Sequence, residues 1–243
     1  MSEALTLDRF LGGRVLAKQP ARGFRAGHDT VLLAAAVSAQ TGDKILELGS
    51  GVGIASLCLA TRVGGVSITG IEIDPDLVRT ANENAALNKL ETHLRFHEGD
   101  AAHFQAQSAF TQVFFNPPFY PETGQASPSA ERERAKKGDG ALIADWAGAG
   151  LAALAPGGTL TIILRADRAE ECVKACAGCR ARYFPLFPKQ GEQPKRLILR
   201  LVKGEVGAPL WCKGLVLHQE DGKPTDEAEA VLRHGMGISF SED

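Results

Sequence analysis

The 243-residue chain contains no apolar run near the ~18 residues that a membrane-spanning helix needs, although 44% of its residues are hydrophobic. Its first residues, Met1-Ser2-Glu3-Ala4, lack a basic region followed by an apolar stretch, so no secretory signal is expected. The five cysteines are an odd count. They point to reduced thiols in a cytoplasmic protein rather than to a disulfide framework. Positive charge is not in excess, since 27 Lys and Arg against 29 Asp and Glu leave a formal net charge of -2. The balance does not advertise nucleic-acid binding, although a local basic face can still meet phosphates. The histidines are scattered without ligand spacing, and no internal repeat or break in composition divides the chain. The length suffices for one well-buried core with small appendages. The expected organisation is a lead-in over residues 1–27, a central domain over 28–204, and a C-terminal extension over 205–243 packed on the same domain.

What the chain does have is an alternation of strand-like and helix-like segments. Lys44-Ile45-Leu46 reads as a strand, Glu47-Leu48-Gly49-Ser50-Gly51-Val52-Gly53 as a glycine turn, and Ile54–Ala60 as a helix. Strand, glycine turn and helix form the first unit of a doubly wound nucleotide-binding sheet. Glycines let the backbone turn sharply and approach a ligand, and the helix N-terminus faces that ligand with unpaired N–H groups. The spacing is G-x-G-x-G; Ile54 stands where a dinucleotide fingerprint has its third glycine, which disfavours NAD. A tight turn made for packing is the alternative.

Further strands are expected at Val66–Ile71, Leu94–His97, Val113–Phe115, Thr159–Leu164, Arg182–Leu186 and Arg196–Val202. The fold class is therefore α/β: a doubly wound, mostly parallel, seven-stranded sheet with an antiparallel last hairpin. Helices are expected at Asp76–Asn88, Ala141–Leu154, about Arg168–Ala177 and Asp226–Arg233. Glu72 ends the second strand, about 20 residues past the glycine turn, where a carboxylate can accept from ribose hydroxyls. Asp74, followed by Pro75, reads as a helix cap. Asp100 ends the third strand, where it suits either an adenine amino group or a turn.

After Val113–Phe115 comes Asn116-Pro117-Pro118-Phe119. Two prolines give up two backbone donors and fix their own φ angles, and they push the preceding residue toward an extended conformation. The corner is stiff and can aim an amide, a carbonyl and an aromatic face at one planar group. A loop that merely holds two prolines is the bland alternative.

Glu47–Gly53, Glu72, Asp100 and Asn116–Phe119, in this order, resemble a class I S-adenosylmethionine-dependent methyltransferase. The tetrapeptide resembles that of the members that methylate adenine N6, cytosine N4 or a glutamine amide. Gly23–Ala35 and the stretch Leu215–His218 through Asp221–Ala228 resemble the bacterial valine tRNA adenine-N6 methyltransferase family, so the similarity covers nearly the whole chain. The resemblance implies a Rossmann-like methyltransferase domain with S-adenosylmethionine held by Glu47, Gly49, Gly51, Gly53, Glu72, Asp100 and Asn116. It implies catalysis by Asn116, Pro117 and Phe119, with Pro118 and Phe119 against the substrate base. The implied substrate is the adenine beside a tRNA anticodon. A protein glutamine amide, an rRNA adenine and a non-catalytic RNA scaffold are the alternatives. The Asn116 side-chain oxygen and the Pro117 carbonyl would accept from the two N–H bonds of the amine and localise its lone pair, while Phe119 stacks on the base. Phe24 and Arg25 are candidates for the mouth of the site, and His28 for packing or capping.

Residues 120–140 form a long polar segment with Arg132, Arg134, Lys136 and Lys137, which reads as a lid or RNA-contacting loop. A solvated charged helix is the alternative. Arg180, Arg182, Lys189, Lys195 and Arg196 would make a phosphate track if they share one sheet edge. Cys172, Cys176 and Cys179 have the spacing of a thiolate cluster for iron–sulfur or zinc. They are also expected to share one helix face, where buried Cys packs as a small hydrophobe, and no metal is expected.

Overall fold

A computed structural model describes residues 4–22, 25–106, 109–118, 139–176 and 179–240. Its centre is one sheet of mixed direction. Strands β3 (Lys44–Leu48), β4 (Ser67–Glu72), β5 (Leu94–Glu98), β6 (Phe110–Phe115) and β7 (Leu154–Arg165) run parallel, and β9 (Arg196–Val202) lies antiparallel between β7 and β8 (Ala181–Lys189). These seven strands are the expected seven, with the expected antiparallel last hairpin. Two short strands extend the sheet beyond that count. β10 (Leu210–Trp211) and β11 (Leu215–His218) both pair with β8. Pro185 lies between the two paired stretches and has no backbone N–H to offer, which is why the edge is taken up in two pieces.

The order β5-β4-β3-β6-β7-β9-β8 reverses direction between β3 and β6. Strands that alternate side chains across the sheet feed two apolar layers. Ile45, Phe114, Ile163 and Ile198 join one layer with α1 (His28–Ala36), α2 (Ile54–Val63), α3 (Pro75–Leu87) and α6 (Asp226–Leu232). Leu46, Leu48, Val113, Phe115 and Leu160 join the other with α4 (Asp139–Ala153) and α5 (Ala169–Ala175). Asp74 caps α3, its Oδ1 accepting from the Asp76 amide at 2.9 Å ahead of Pro75 in the first turn.

The lead-in takes a form not read from the sequence, and two expectations need correction. The lead-in is a β-hairpin, β1 (Leu5–Phe10) with β2 (Val15–Pro20), turned at Leu11–Gly13. β7 does not wait for Thr159. It starts at Leu154, and Pro156-Gly157-Gly158 form an irregular stretch where the pairing jumps from Phe110–Leu154 to Gln112–Thr159. Helix α5 ends at Ala175, so Cys179 does not share a helix face with Cys172 and Cys176. Cys172 and Cys176 are buried. Among the described residues no three potential ligands gather as a metal site, and no helix is long and apolar enough to cross a membrane.

Candidate active site

Leu48 and Phe115 are register partners on neighbouring parallel strands. The residues that follow them, Gly49 and Asn116, therefore leave the carboxyl edge of the sheet side by side. This is where strand order reverses, the crevice in which open α/β sheets bind ligands. Glu72 ends the next strand, β4, on the other side of β3.

The glycine turn needs its glycines for two separate reasons. Gly49, Gly51 and Gly53 have φ of 66°, 53° and 82°, the left-handed region that costs other residues free energy. Gly49 and Gly53 are also filled over. A Cβ on Gly49 would lie 2.3 Å from the tip of Trp146, and one on Gly53 would lie 2.6 Å from the Phe96 ring. A Cβ on Gly51 would meet nothing within 4 Å, so its backbone faces open space. The loop is tied down from β4: Ser50 N–H donates to the Ile71 carbonyl at 3.0 Å and Gly51 N–H to Glu72 Oε2 at 2.8 Å.

Glu72 is buried and its other oxygen accepts from the Asp74 amide at 3.0 Å. Burial pushes its pKa up, against the pull of those backbone bonds. Glu47 is more deeply enclosed and accepts a short hydrogen bond from the Ser56 hydroxyl on α2. Burial pushes it up to about 8. Both carboxyls are buried beside the glycine turn, where an opposite charge brought close would favour their ionised forms. Asp100 caps the short turn Ala101–His103, accepting from the Ala102 amide at 2.8 Å and meeting His103 Nδ1 at 2.6 Å.

Asn116 is half-buried and Pro117 buried. The Asn116 Oδ1 is shielded from solvent and has no hydrogen-bond partner among the described residues. An unmade bond on a buried amide oxygen costs about 1–3 kcal/mol, which marks it as an acceptor waiting for a donor. Phe119, Arg132, Arg134, Lys136 and Lys137 lie outside the described residues, as does Phe24. Arg25 is turned toward the hairpin, paired with Asp8 and donating to the Pro20 carbonyl.

The second basic group does not form one track. Arg180 and Arg182 stand at the start of β8 and share Glu205, whereas Lys189 ends β8 and Lys195 and Arg196 stand at the start of β9, on the opposite edge. Only the latter three lie on the edge that carries Asn116.

Two contributions were not read from the sequence. Trp146 of α4 is 5% exposed, sits over Gly49 and meets Phe115 edge-on, with centroids 5.7 Å apart. It wedges between the glycine turn and the strand that delivers Asn116. Asn84 of α3, fully buried, donates to the carbonyls of Val52 and Lys18 at 3.0 Å each and accepts from the Lys18 amide at 2.8 Å. One side chain thereby joins the hairpin to the glycine turn. An Asn in mid-helix carries no local signal of such a role.

Relatives share this architecture. The tRNA1(Val) (adenine(37)-N6)-methyltransferase of Actinobacillus pleuropneumoniae serotype 5b is 29% identical over 210 residues, 84% of this chain and 87% of that protein. The protein of the same name from Phocaeicola vulgatus is 29% identical over 178 residues, 72% of this chain and 75% of that one. A crystal structure of a predicted O-methyltransferase from Agrobacterium tumefaciens superposes with a TM-score of 0.72 at 21% identity, covering 87% of this chain and 98% of that one. TrmN from Thermus thermophilus gives 0.53 at 23% identity, over 72% of this chain and 48% of that one. Those two likenesses establish the doubly wound fold. The family model of the methyltransferase small domain matches residues 25–173, from the end of the hairpin into α5 and across every element that builds this crevice, and the chain belongs to that family.

Proposed function

We propose that this protein is an S-adenosylmethionine-dependent methyltransferase that modifies the N6 amine of an adenine in tRNA, the one beside the anticodon, in the cytoplasm. The observation that carries the chemistry is the buried Asn116 Oδ1, without a hydrogen-bond partner among the described residues, at the sheet's switch point next to the glycine turn. The tRNA assignment draws on relatives named for that activity, which align over most of this chain.

The residues fit the methyl donor. The open face of Gly51, the raised carboxyls of Glu47 and Glu72, and the N-terminus of α2 surround one crevice. Gly49, Gly51 and Gly53 would hold the donor by backbone, and Glu72 would take its ribose hydroxyls, with Asp100 at the adenine. When bound, S-adenosylmethionine supplies an electrophilic methyl group on a sulfonium.

The chain's own part is to prepare the amine. The lone pair of an exocyclic amine is delocalised into the ring, so the amine is a weak nucleophile. Asn116 Oδ1 and the Pro117 carbonyl accept from its two N–H bonds and draw the nitrogen toward a tetrahedral geometry. Positive charge that develops on that nitrogen strengthens both hydrogen bonds, so the acceptors hold the transition state more tightly than the ground state. The prolines keep the two acceptors fixed, because misplacement by about 1 Å is costly. No dedicated general base is needed, since the proton leaves after the nitrogen has become cationic. A base must leave its stack to enter such a site, which is easiest in a single-stranded loop.

The test is nucleoside mass spectrometry of total tRNA incubated with the protein and labelled methyl donor. N6-methyladenine is expected, and Asn116→Ala should lower its rate by about 10²–10³-fold, the loss typical of one transition-state hydrogen bond. Label appearing in protein but not in tRNA would sink the assignment, and full activity in Asn116→Ala would overturn the mechanism.

A further inference from the structure

At the amino edge of the sheet, behind the crevice, lies a cavity of about 410 Å³ bordered by Ser38, Thr159, Arg182, Arg200, Ser239 and Phe240. Among the described residues no carboxylate lines it. Arg182 and Arg200 are direct register partners on antiparallel β8 and β9. Like charges placed opposite each other destabilise a sheet pair, so this pairing requires compensation. Some is local: Glu205 takes a two-pronged bond from Arg182, at 2.8 and 3.0 Å, and also pairs with Arg180. One carboxylate is thus shared by two guanidinium groups, and Arg200 has no carboxylate partner among the described residues.

Arg200 has a structural duty that accounts for part of its position. It donates to the Ala36 carbonyl at the end of α1, and its guanidinium lies 3.8 Å over the Phe240 ring. Arg62 donates nearby, to the Ala34 and Val37 carbonyls. Cations suit a helix C-terminus. That duty does not use the Arg200 Nε, which is buried and has no partner among the described residues; the same holds for the Thr161 hydroxyl across the strand pair. Burial, with Arg182 and Arg62 close by, pulls Arg200 down to about 10. Arg182, already paired with Glu205, and Arg200 are the two cations among the described residues that line the cavity, which is edged with the hydroxyls of Ser38, Thr159 and Ser239.

We propose that this cavity is a binding site for a phosphate-type oxyanion, held between Arg182 and Arg200 with the Ser38 and Ser239 hydroxyls as further donors. Guanidinium forks match the paired oxygens of a phosphate. The volume is within the range of small-molecule pockets, about 300–1,000 Å³, so a phosphate monoester fits as well as the free ion. The six residues of β6 span about 20 Å. The cavity is therefore separate from the methyl-transfer crevice, and its occupancy does not depend on the reading of that crevice.

The experiment is calorimetric titration of the full chain with inorganic phosphate, in the absence of methyl donor, on the parent protein, Arg182→Gln and Ser239→Asp. Ser239 is exposed, so the aspartate can be accommodated and supplies the missing anion from the chain itself. Phosphate should bind the parent protein, at least tenfold more weakly to Arg182→Gln, and not measurably to Ser239→Asp. The melting temperature of Ser239→Asp should rise without added phosphate, which a general loss of folding cannot imitate. Equal phosphate binding by all three proteins, or none by the parent, overturns the proposal. To identify the source of the phosphate, tRNA binding is measured against salt. If an RNA backbone phosphate is the occupant, Arg182→Gln lowers the slope of log K against log salt by about one. An unchanged slope assigns the site to the free ion or a small monoester.

Discussion

Glu47 is a carboxyl kept from water inside an enzyme whose proposed donor is a cation, and its titration has consequences at the scale of one residue. An unperturbed glutamate loses its proton near 4.5, whereas Glu47 in the folded chain holds it to about 8. Across that window the folded state binds the extra proton, so the contribution of Glu47 to stability falls as pH rises. It is fully present below 4.5 and gone above about 8. Glu47→Gln carries no such proton. Its melting temperature should gain on that of the parent protein as pH is raised from 5 to 8.5, and parallel melting curves across that range would contradict the assignment. A cationic ligand favours the ionised carboxyl. Donor binding to the parent protein should therefore tighten with rising pH and flatten in the variant, as read by titration with S-adenosylmethionine.

The glycine turn and α4 are coupled as elements. Gly49→Ala meets two obstacles, a left-handed φ and the Trp146 ring 2.3 Å from the new carbon. The backbone conformation alone costs about 1 kcal/mol, and the overlap adds about 1–3 kcal/mol. Trp146→Leu removes only the second obstacle. Chemical denaturation of Gly49→Ala, Trp146→Leu and the double variant should show coupling of about 1–3 kcal/mol, with the double variant more stable than the sum of the singles predicts. Strict additivity would mean that the ring does not set the height of the turn. Much of this region was legible in the sequence. The G-x-G-x-G spacing, the acidic Glu72 and the tetrapeptide are local patterns with local causes. Trp146 was not legible, because its partner is about 100 residues away in the chain and an indole in an apolar helix reads as core. Asn116, by contrast, was read from its neighbours, since two prolines fix geometry without help from distant contacts.

At the scale of the whole molecule, strand and helix order followed from apolar periodicity, and the strand-order reversal that makes the crevice is the arrangement expected of a doubly wound α/β sheet. The hairpin at residues 5–20 escaped because its alternation is weak and its outer strand exposed, with Leu5 and Leu7 46% and 57% accessible. It is held not by a strong apolar face alone but by side-chain amides. Leu16 and Lys18 donate to Asn88 and Asn84 at 2.9 and 2.8 Å, and both asparagines donate back to the same two residues. Asn84→Ala strands buried backbone groups on two elements, at about 1–3 kcal/mol for each group left unpaired. It should lower global stability and raise the KM for the methyl donor, because Val52 loses its tether. A variant with a lower melting temperature and unchanged donor KM would confine Asn84 to the hairpin.

That pairing through α3 has a consequence for motion. An isolated two-stranded hairpin is marginal in water, and its amide hydrogens would be replaced by deuterium almost at once. Here the Leu16 and Lys18 amides are closed by side chains of the C-cap of α3 and of α3 itself, so they can exchange only when that end of the helix yields. In a deuterium-uptake measurement, these two positions near the start of the chain should keep time with α3 rather than with the strand facing them. A ligand that stiffens the glycine turn should slow their uptake, making the hairpin a remote reporter of cofactor occupancy.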